Sequence, residues 1–185
     1  MFEKLSTIIR KRVSDTRNHE KGLFLNRAER VEPFPKDIRE KLSSFCTYKL
    51  GNYYDIKPFY SKLESYLEVN INNILVTNGA EEAIRYLFNI HIKSGDTIMF
   101  PIPTYGMYHV YSKIYNTTTI LLPYNQSFKI NKEILYDNLE KVSVFFLPNP
   151  SHVEDLFDSA EVITILNLLQ KNNGILVIDE TYFGF

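Results

Sequence analysis

Short apolar runs alternate with helix-length segments from residue 74 onward, and that alternation leaves the chain very few folds. Ile74-Leu75-Val76-Thr77, Thr97-Ile98-Met99-Phe100, Thr118 to Leu122, Val142 to Leu147 and Ile175-Leu176-Val177-Ile178 each read as a strand. Between the first two runs, Ala83, Ile84, Leu87 and Phe88 fall on one face of a helix. Asp158 opens another helix, with Glu161 three residues on as a capping box. Strand–helix–strand order predicts parallel pairing through right-handed crossovers, and therefore an α/β fold around a mainly parallel sheet.

The last apolar run ends in Asp179-Glu180-Thr181-Tyr182. In open α/β sheets, ligands collect beyond the carboxyl ends of the strands. Asp179 is thus a carboxylate delivered to such a place by a rigid element, with Tyr182 three residues along the same exit. On this motif alone, an Asp that caps the next turn is an equally good reading.

Composition excludes several classes. Of 185 residues, 44% are hydrophobic and 14% aromatic, enough apolar material for a core rather than a disordered chain. Lys and Arg number 21 against 22 Asp and Glu, so no global charge draws the chain to nucleic acid or an anionic membrane. The single cysteine, Cys46, allows neither an internal disulfide framework nor a cysteine-based metal site. Met1 to Arg10 has no signal-peptide h-region, and no apolar run reaches membrane-spanning length. A soluble, cytoplasmic protein is expected, with no nucleic-acid or membrane partner and no metal.

Taken in order, Phe2, Leu5, Ile9 and Val13 repeat at helical spacing, and the basic residues between them read as a solvated face. Pro33 and Pro35 make the next stretch extended or irregular, and Asp37 to Ser44 reads as a short helix. Asn78-Gly79 turns a strand into a helix beginning at Ala80. Such a junction is suited to phosphate, because free amides and the positive end of the helix dipole face the ligand. It is neither a P-loop nor Gly-x-Gly-x-x-Gly, which disfavours nucleotide binding of those kinds. Asn172-Asn173-Gly174 ends the Asp158 helix and leads into the final strand.

Four of these features, in this order, resemble the class I/II (fold-type I) aminotransferases that use pyridoxal 5′-phosphate, in particular the branch similar to histidinol-phosphate aminotransferase. Asn78-Gly79-Ala80-Glu81-Glu82-Ala83 is similar to that family's phosphate turn, and the resemblance implies cofactor phosphate held at Gly79 and by the backbone of Ala80 and Glu81. Pro103-Thr104-Tyr105-Gly106-Met107-Tyr108 is similar to its Pro-Thr-Tyr-x-x-Tyr run, which implies that Tyr105 stacks on the cofactor ring. Tyr108 and Tyr111 are then expected in the core. Asn149-Pro150-Ser151-His152 keeps the opening of the family's Asn-Pro loop but not the later Asn-Pro-Thr-Gly. His152 falls where the family hydrogen-bonds the cofactor's phenolic oxygen, and a slipped register gives that place to Asn149. The Asp179-Glu180-Thr181-Tyr182 exit resembles the family's Asp-Glu-x-Tyr, which implies that Asp179 pairs with the ring nitrogen and Tyr182 with the phenolic oxygen. Tyr53 stands where the family's Tyr-Pro motif reaches the partner subunit's cofactor phosphate; ordinary aromatic packing with Tyr54, Phe59 and Tyr60 is the alternative. Upstream, Leu25, Asn26 and Glu29 match the family's Leu-Asn-x-Asn-Glu segment, while Ala28 departs from it.

The resemblance runs from about Leu25 to Phe185 and implies the large domain of a pyridoxal-phosphate transferase, a three-layer α/β sandwich with a mainly parallel sheet. Residues 1–45 would be an N-terminal helix and extended arm, and 46–185 the N-terminal part of that domain. The family's Schiff-base lysine and substrate-carboxylate arginine lie further along than Phe185, and no lysine here occupies a matching motif position. The expectation is the N-terminal portion of a longer homodimeric transaminase, inactive at this length, acting on a small-molecule amino donor and keto acceptor. Its substrate would be an amino acid or amino-phosphate. The alternatives are decarboxylation of a phosphorylated amino acid and a non-catalytic binding domain with a degenerate form of this fold.

Overall fold

The computed structural model describes residues 32–44, 51–151 and 157–183. The expected helix at Phe2 to Val13 and the segment containing Leu25, Asn26 and Glu29 lie outside the described residues. Contacts divide the chain into two compact units, one comprising the described residues up to Val76 and the other those from Thr77 onward.

In the first unit, helix α1 (Lys36–Ser43) follows Pro35, with Asp37 in its first turn and Lys41 in its last. Each charge sits at the end of the helix dipole that it complements. Helix α2 (Lys57–Leu67) starts where Asp55 Oδ1 accepts the Lys57 N–H at 3.0 Å, and Pro58 occupies the first turn, where its missing N–H costs nothing. A 3₁₀ turn (Ile71–Asn73) follows, capped by Asn70, whose side chain accepts the Asn72 N–H at 2.9 Å.

The strand expected at Ile74-Leu75-Val76-Thr77 does not form. Ile74 is extended, at φ −112° and ψ 126°, yet no described strand pairs with this stretch, and Leu75 and Val76 are 67% and 45% exposed. Apolar, β-branched residues favour an extended backbone, but a strand exists only where a neighbour completes its ladder. Here the Val76 N–H instead donates to the Tyr60 hydroxyl oxygen at 3.0 Å.

The second unit holds helices α3 (Ala80–His91), α4 (Met107–Ile114), α5 (Lys132–Asn138) and α6 (Ser159–Gln170). Its strands are β1 (Thr97–Ile102), β2 (Thr118–Pro123), β3 (Val144–Pro148) and β4 (Ile175–Asp179). They form one sheet in the order β2-β1-β3-β4, with every neighbouring pair parallel. Period-two alternation sends successive side chains to opposite faces. Ile98, Phe100, Val144 and Phe146 pack with Ile84, Phe88, Tyr108 and Tyr111 of α3 and α4. Met99, Phe145 and Leu147 pack on the other face with Leu135, Ile165 and Leu169 of α5 and α6. The result is the expected three-layer α/β arrangement with a parallel sheet.

The two helical layers follow from handedness. The chain steps one way from β1 to β2 through α4 and the opposite way from β2 to β3 and on to β4 through α5 and α6. With a uniform crossover hand, reversing direction puts the helices on the opposite face. Travel reverses between the neighbours β1 and β3, so the crevice beyond their carboxyl ends is the switch point where such folds place ligands.

The signals at the two ends of α6 hold with one exception. Asp158 caps α6, its Oδ1 accepting the Glu161 N–H at 2.8 Å. The reciprocal half of the capping box is not made, because the Glu161 carboxylate pairs with Lys132 Nζ. Gly174 carries the chain from α6 into β4 at close quarters, where an added Cβ would lie 2.8 Å from the Val142 carbonyl oxygen. No helix among the described residues is long and apolar enough to cross a membrane.

Candidate functional site

A set of linked side chains crosses the carboxyl edge of the sheet, from the N-terminus of α3 to the end of β4. At the α3 end, Gly79 takes φ +78°, a left-handed conformation that a side chain would strain, and nothing lies within 4 Å of where its Cβ would be. No side chain caps this helix among the described residues, which leaves the first-turn amides of Ala80 and Glu81 without a side-chain acceptor there. Glu82 folds back one step further and accepts the Asn78 N–H at 2.7 Å and the Asn78 side-chain amide at 2.9 Å. The Asn78 backbone bond is the largest of the contacts that hold the Glu82 carboxyl below its ordinary range. The turn is thereby braced by a carboxylate that leaves the Ala80 and Glu81 amides alone.

Glu81 links this turn to β1. Its Oε2 accepts the Tyr105 hydroxyl at 2.6 Å, and Tyr105 sits where the chain leaves β1. The Tyr105 ring stands edge-on to Tyr108, centroids 6.0 Å apart and planes at 87°. That geometry suits two aromatic quadrupoles.

Tyr108 reaches the end of β4. It lies in the core as expected, wholly buried, its ring stacked on Phe146 at 5.1 Å and tilted against Phe100 at 5.6 Å. Its hydroxyl is no mere core atom, because it donates to Asp179 Oδ2 at 2.5 Å. The other carboxylate oxygen, Oδ1, accepts the Thr181 N–H at 3.1 Å and the Thr181 hydroxyl at 2.5 Å. Burial, then the charge and hydrogen bond of Asp179, then Tyr105 and Tyr182, drive the Tyr108 hydroxyl far above the usual phenol range. The pair is therefore a neutral phenol donating to a carboxylate.

β3 closes the same edge. The Asn149 N–H donates to the Asp179 carbonyl at 3.0 Å, and the Asn149 side-chain amide donates to the Phe157 carbonyl at 3.2 Å. His152, the other candidate in this loop, lies outside the described residues. Beside Tyr105, the Thr104 hydroxyl oxygen is buried with no hydrogen-bond partner among the described residues. Tyr53 belongs to the first unit, where its side chain is fully exposed and takes no part in the Phe59–Tyr60 edge-to-face pair.

The structure thus brings Gly79, Ala80, Glu81, Tyr105, Asp179 and Tyr182 onto one edge. Reading the sequence missed Tyr108, Thr181 and the carboxylate of Glu81. The available signal was proximity in sequence: Tyr108 follows Tyr105 by three residues, just past the same strand exit.

A parallel α/β sheet with a capless helix end, a tyrosine and a strand-end carboxylate along its carboxyl edge places the chain in a recognised class. It belongs to the family of class I and II aminotransferases, whose model matches residues 39–185. Among curated relatives it is 33% identical over 127 residues to histidinol-phosphate aminotransferase of Caldanaerobacter subterraneus subsp. tengcongensis, covering 67% of this chain and 35% of that protein. The Clostridium novyi histidinol-phosphate aminotransferase is 29% identical, with 98% of this chain and 53% of that protein covered. The chain thus spans from about a third to about a half of the length of these relatives. Among solved structures, histidinol-phosphate aminotransferase from Sinorhizobium meliloti in complex with pyridoxal-5′-phosphate superposes with TM-score 0.69 at 15% identity, over 80% of this chain and 41% of that one. An aminotransferase from Mycobacterium tuberculosis gives TM-score 0.71 at 13% identity, over 83% and 43% of the two chains. These similarities establish the fold.

Proposed function

We propose that this chain supplies the cofactor-holding part of a pyridoxal-phosphate-dependent aminotransferase that moves an amino group between a small-molecule donor and a keto acceptor. The observation that carries it is the unbroken side-chain path Glu81–Tyr105–Tyr108–Asp179, which ties an open helix end to a strand-end carboxylate. The residues present fit the cofactor. Uncapped amides at Ala80 and Glu81 suit a dianionic phosphate. Asp179 suits a protonated ring nitrogen, and Tyr105 offers an aromatic face between the two. The Thr104 hydroxyl, buried without a hydrogen-bond partner among the described residues, offers this edge a further polar contact.

When bound, pyridoxal 5′-phosphate provides the electron sink into which charge from the substrate carbon is delocalised. The protein's own tasks are binding, orientation and electrostatics. Gly79, Ala80 and Glu81 fix the phosphate end, and Tyr105 limits ring tilt. Asp179 keeps a proton on the ring nitrogen by offering a fixed negative charge. Tyr182 and a loop residue, His152 or Asn149, hold the phenolic oxygen. Residues 1–45 serve as an arm and 46–185 as the N-terminal part of the large domain, in a homodimer where Tyr53 serves the partner subunit's phosphate site. The relatives named for histidinol phosphate favour an amino acid or amino-phosphate substrate.

The test is intact mass spectrometry of the natural protein with pyridoxal phosphate, before and after borohydride reduction. One reduced adduct per chain is expected; absence of both adduct and cofactor absorbance would refute the reading. In the full-length protein, Asp179→Ala lowers turnover by about a hundredfold or more, the scale of one preorganised electrostatic contact. Tyr182→Phe lowers it by about tenfold, the scale of one hydrogen bond. Equal, mild losses in steady-state kinetics would remove Asp179 from its role.

A further inference from the structure

We propose that Tyr108 is a positioning residue for Asp179: its phenolic O–H, delivered from α4, fixes the aim of the carboxylate at the cofactor's ring nitrogen. The inference rests on the reading above and adds to it a residue outside the set that the sequence resemblance assigns. Three observations carry it.

The first is the bond itself. Asp179 ends β4 and is half-buried among the described residues, whereas Tyr108 is fully buried with its hydroxyl 2.5 Å from Oδ2. A half-open carboxylate on its own would rotate about its terminal torsion, which is broad for Asp. The second is that each oxygen has its own anchor, Oδ2 held by Tyr108 and Oδ1 by Thr181. Two anchors define the carboxylate plane and still leave acceptor capacity, since an ionised carboxylate has about four lone-pair sites. The third is that Tyr108 cannot swing away. Its ring is clamped by Phe146 and Phe100, and α4 holds its backbone.

The choice of a tyrosine matters chemically. A cationic donor at this place would cancel the carboxylate's charge; a neutral phenol orients it and leaves the full charge for the ring nitrogen. Burial and the neighbouring carboxylate both oppose loss of the phenol proton, so the donor stays neutral across the physiological range.

The experiment compares the full-length protein, loaded with pyridoxal phosphate carrying an isotope-labelled ring nitrogen, with its Tyr108→Phe, Tyr111→Phe and Asp179→Asn variants by NMR. Losing the Tyr108 donor leaves Oδ2 without its anchor, so the carboxylate no longer holds its charge on the ring nitrogen. In Tyr108→Phe the nitrogen shift then moves from the pyridinium position toward that of neutral pyridine, in the direction of Asp179→Asn and short of it. Cofactor affinity falls by about tenfold, the scale of a hydrogen bond to a charged group. Tyr111 is a buried tyrosine on the same helix, so Tyr111→Phe controls for lost packing and leaves the shift unchanged. If Tyr108→Phe does not fold, fluorinated tyrosines at position 108 keep ring and hydroxyl while grading donor strength. A shift that tracks phenol acidity supports the role, and one that ignores it overturns it. A shift that moves in Asp179→Asn but coincides in wild type and Tyr108→Phe overturns the role of Tyr108 alone. Wild-type protein that takes up no cofactor overturns it together with the reading beneath it.

Discussion

β3 and β4 are neighbouring parallel strands of nearly the same apolar make-up, Val144-Phe145-Phe146-Leu147-Pro148 and Ile175-Leu176-Val177-Ile178-Asp179, paired residue for residue. Every β3 residue is buried, whereas β4 is half-open and Ile178 is 40% exposed. The difference is position. β3 has a strand on each side and helices above and below, and β4 is an edge of the described sheet. A parallel strand needs cover on both faces to be fully buried, and at an edge that cover thins. The central strand therefore carries stability. β4 carries the carboxylate at its carboxyl end, the end of the sheet where ligands collect.

Substitutions break or sharpen that contrast. Phe146→Ala removes a ring stacked between Phe88 and Tyr108 at 5.2 and 5.1 Å, and is expected to cost about 3–5 kcal/mol in chemical denaturation. A loss below about 1 kcal/mol would mean that β3 is not the structural centre. Gly174→Ala comes next, at about 1–3 kcal/mol, because the new Cβ meets backbone oxygens of Val142 and Leu169 that cannot turn aside. Asp158→Ala should cost about 1 kcal/mol by removing the α6 cap. Ile178→Ala, on the open strand, should cost less than about 1 kcal/mol; a loss matching that of Phe146→Ala would erase the distinction between the strands.

Alkaline pH reports on the contact between the core and the site carboxylate. The Tyr108 hydroxyl is raised in the folded state from an ordinary value of 10.0. Above that pH the unfolded chain loses the proton and the folded chain keeps it, so stability is intact below about pH 10 and falls above it. The slope is about 1.4 kcal/mol per pH unit for one such proton. Tyr108→Phe should flatten the alkaline limb of a denaturation series by that amount, and an unchanged limb would place the hydroxyl in water.

Much of this was legible in local pattern. The spacing of Ile84 and Phe88 marked the buried face of α3, and Asp158 announced the start of α6. Gly79 opens α3 and Asp179 ends β4, as the turn glycine and the apolar run before the carboxylate indicated. The same reasoning failed at Ile74 to Thr77, because extended propensity cannot supply a pairing partner. It also took Tyr108 for plain core, because nothing near position 108 says what faces its hydroxyl.

The sequence by itself determined the order of elements and which side chains alternate between the two faces of the sheet. Periods of two and 3.6 residues are properties of the local chain. Only the tertiary structure decided that residues 108 and 179, 71 positions apart, would share a hydrogen bond. It alone also set β3 between β1 and β4. Those outcomes depend on strand order and crossover direction, which arise when distant segments compete to bury the same apolar surface.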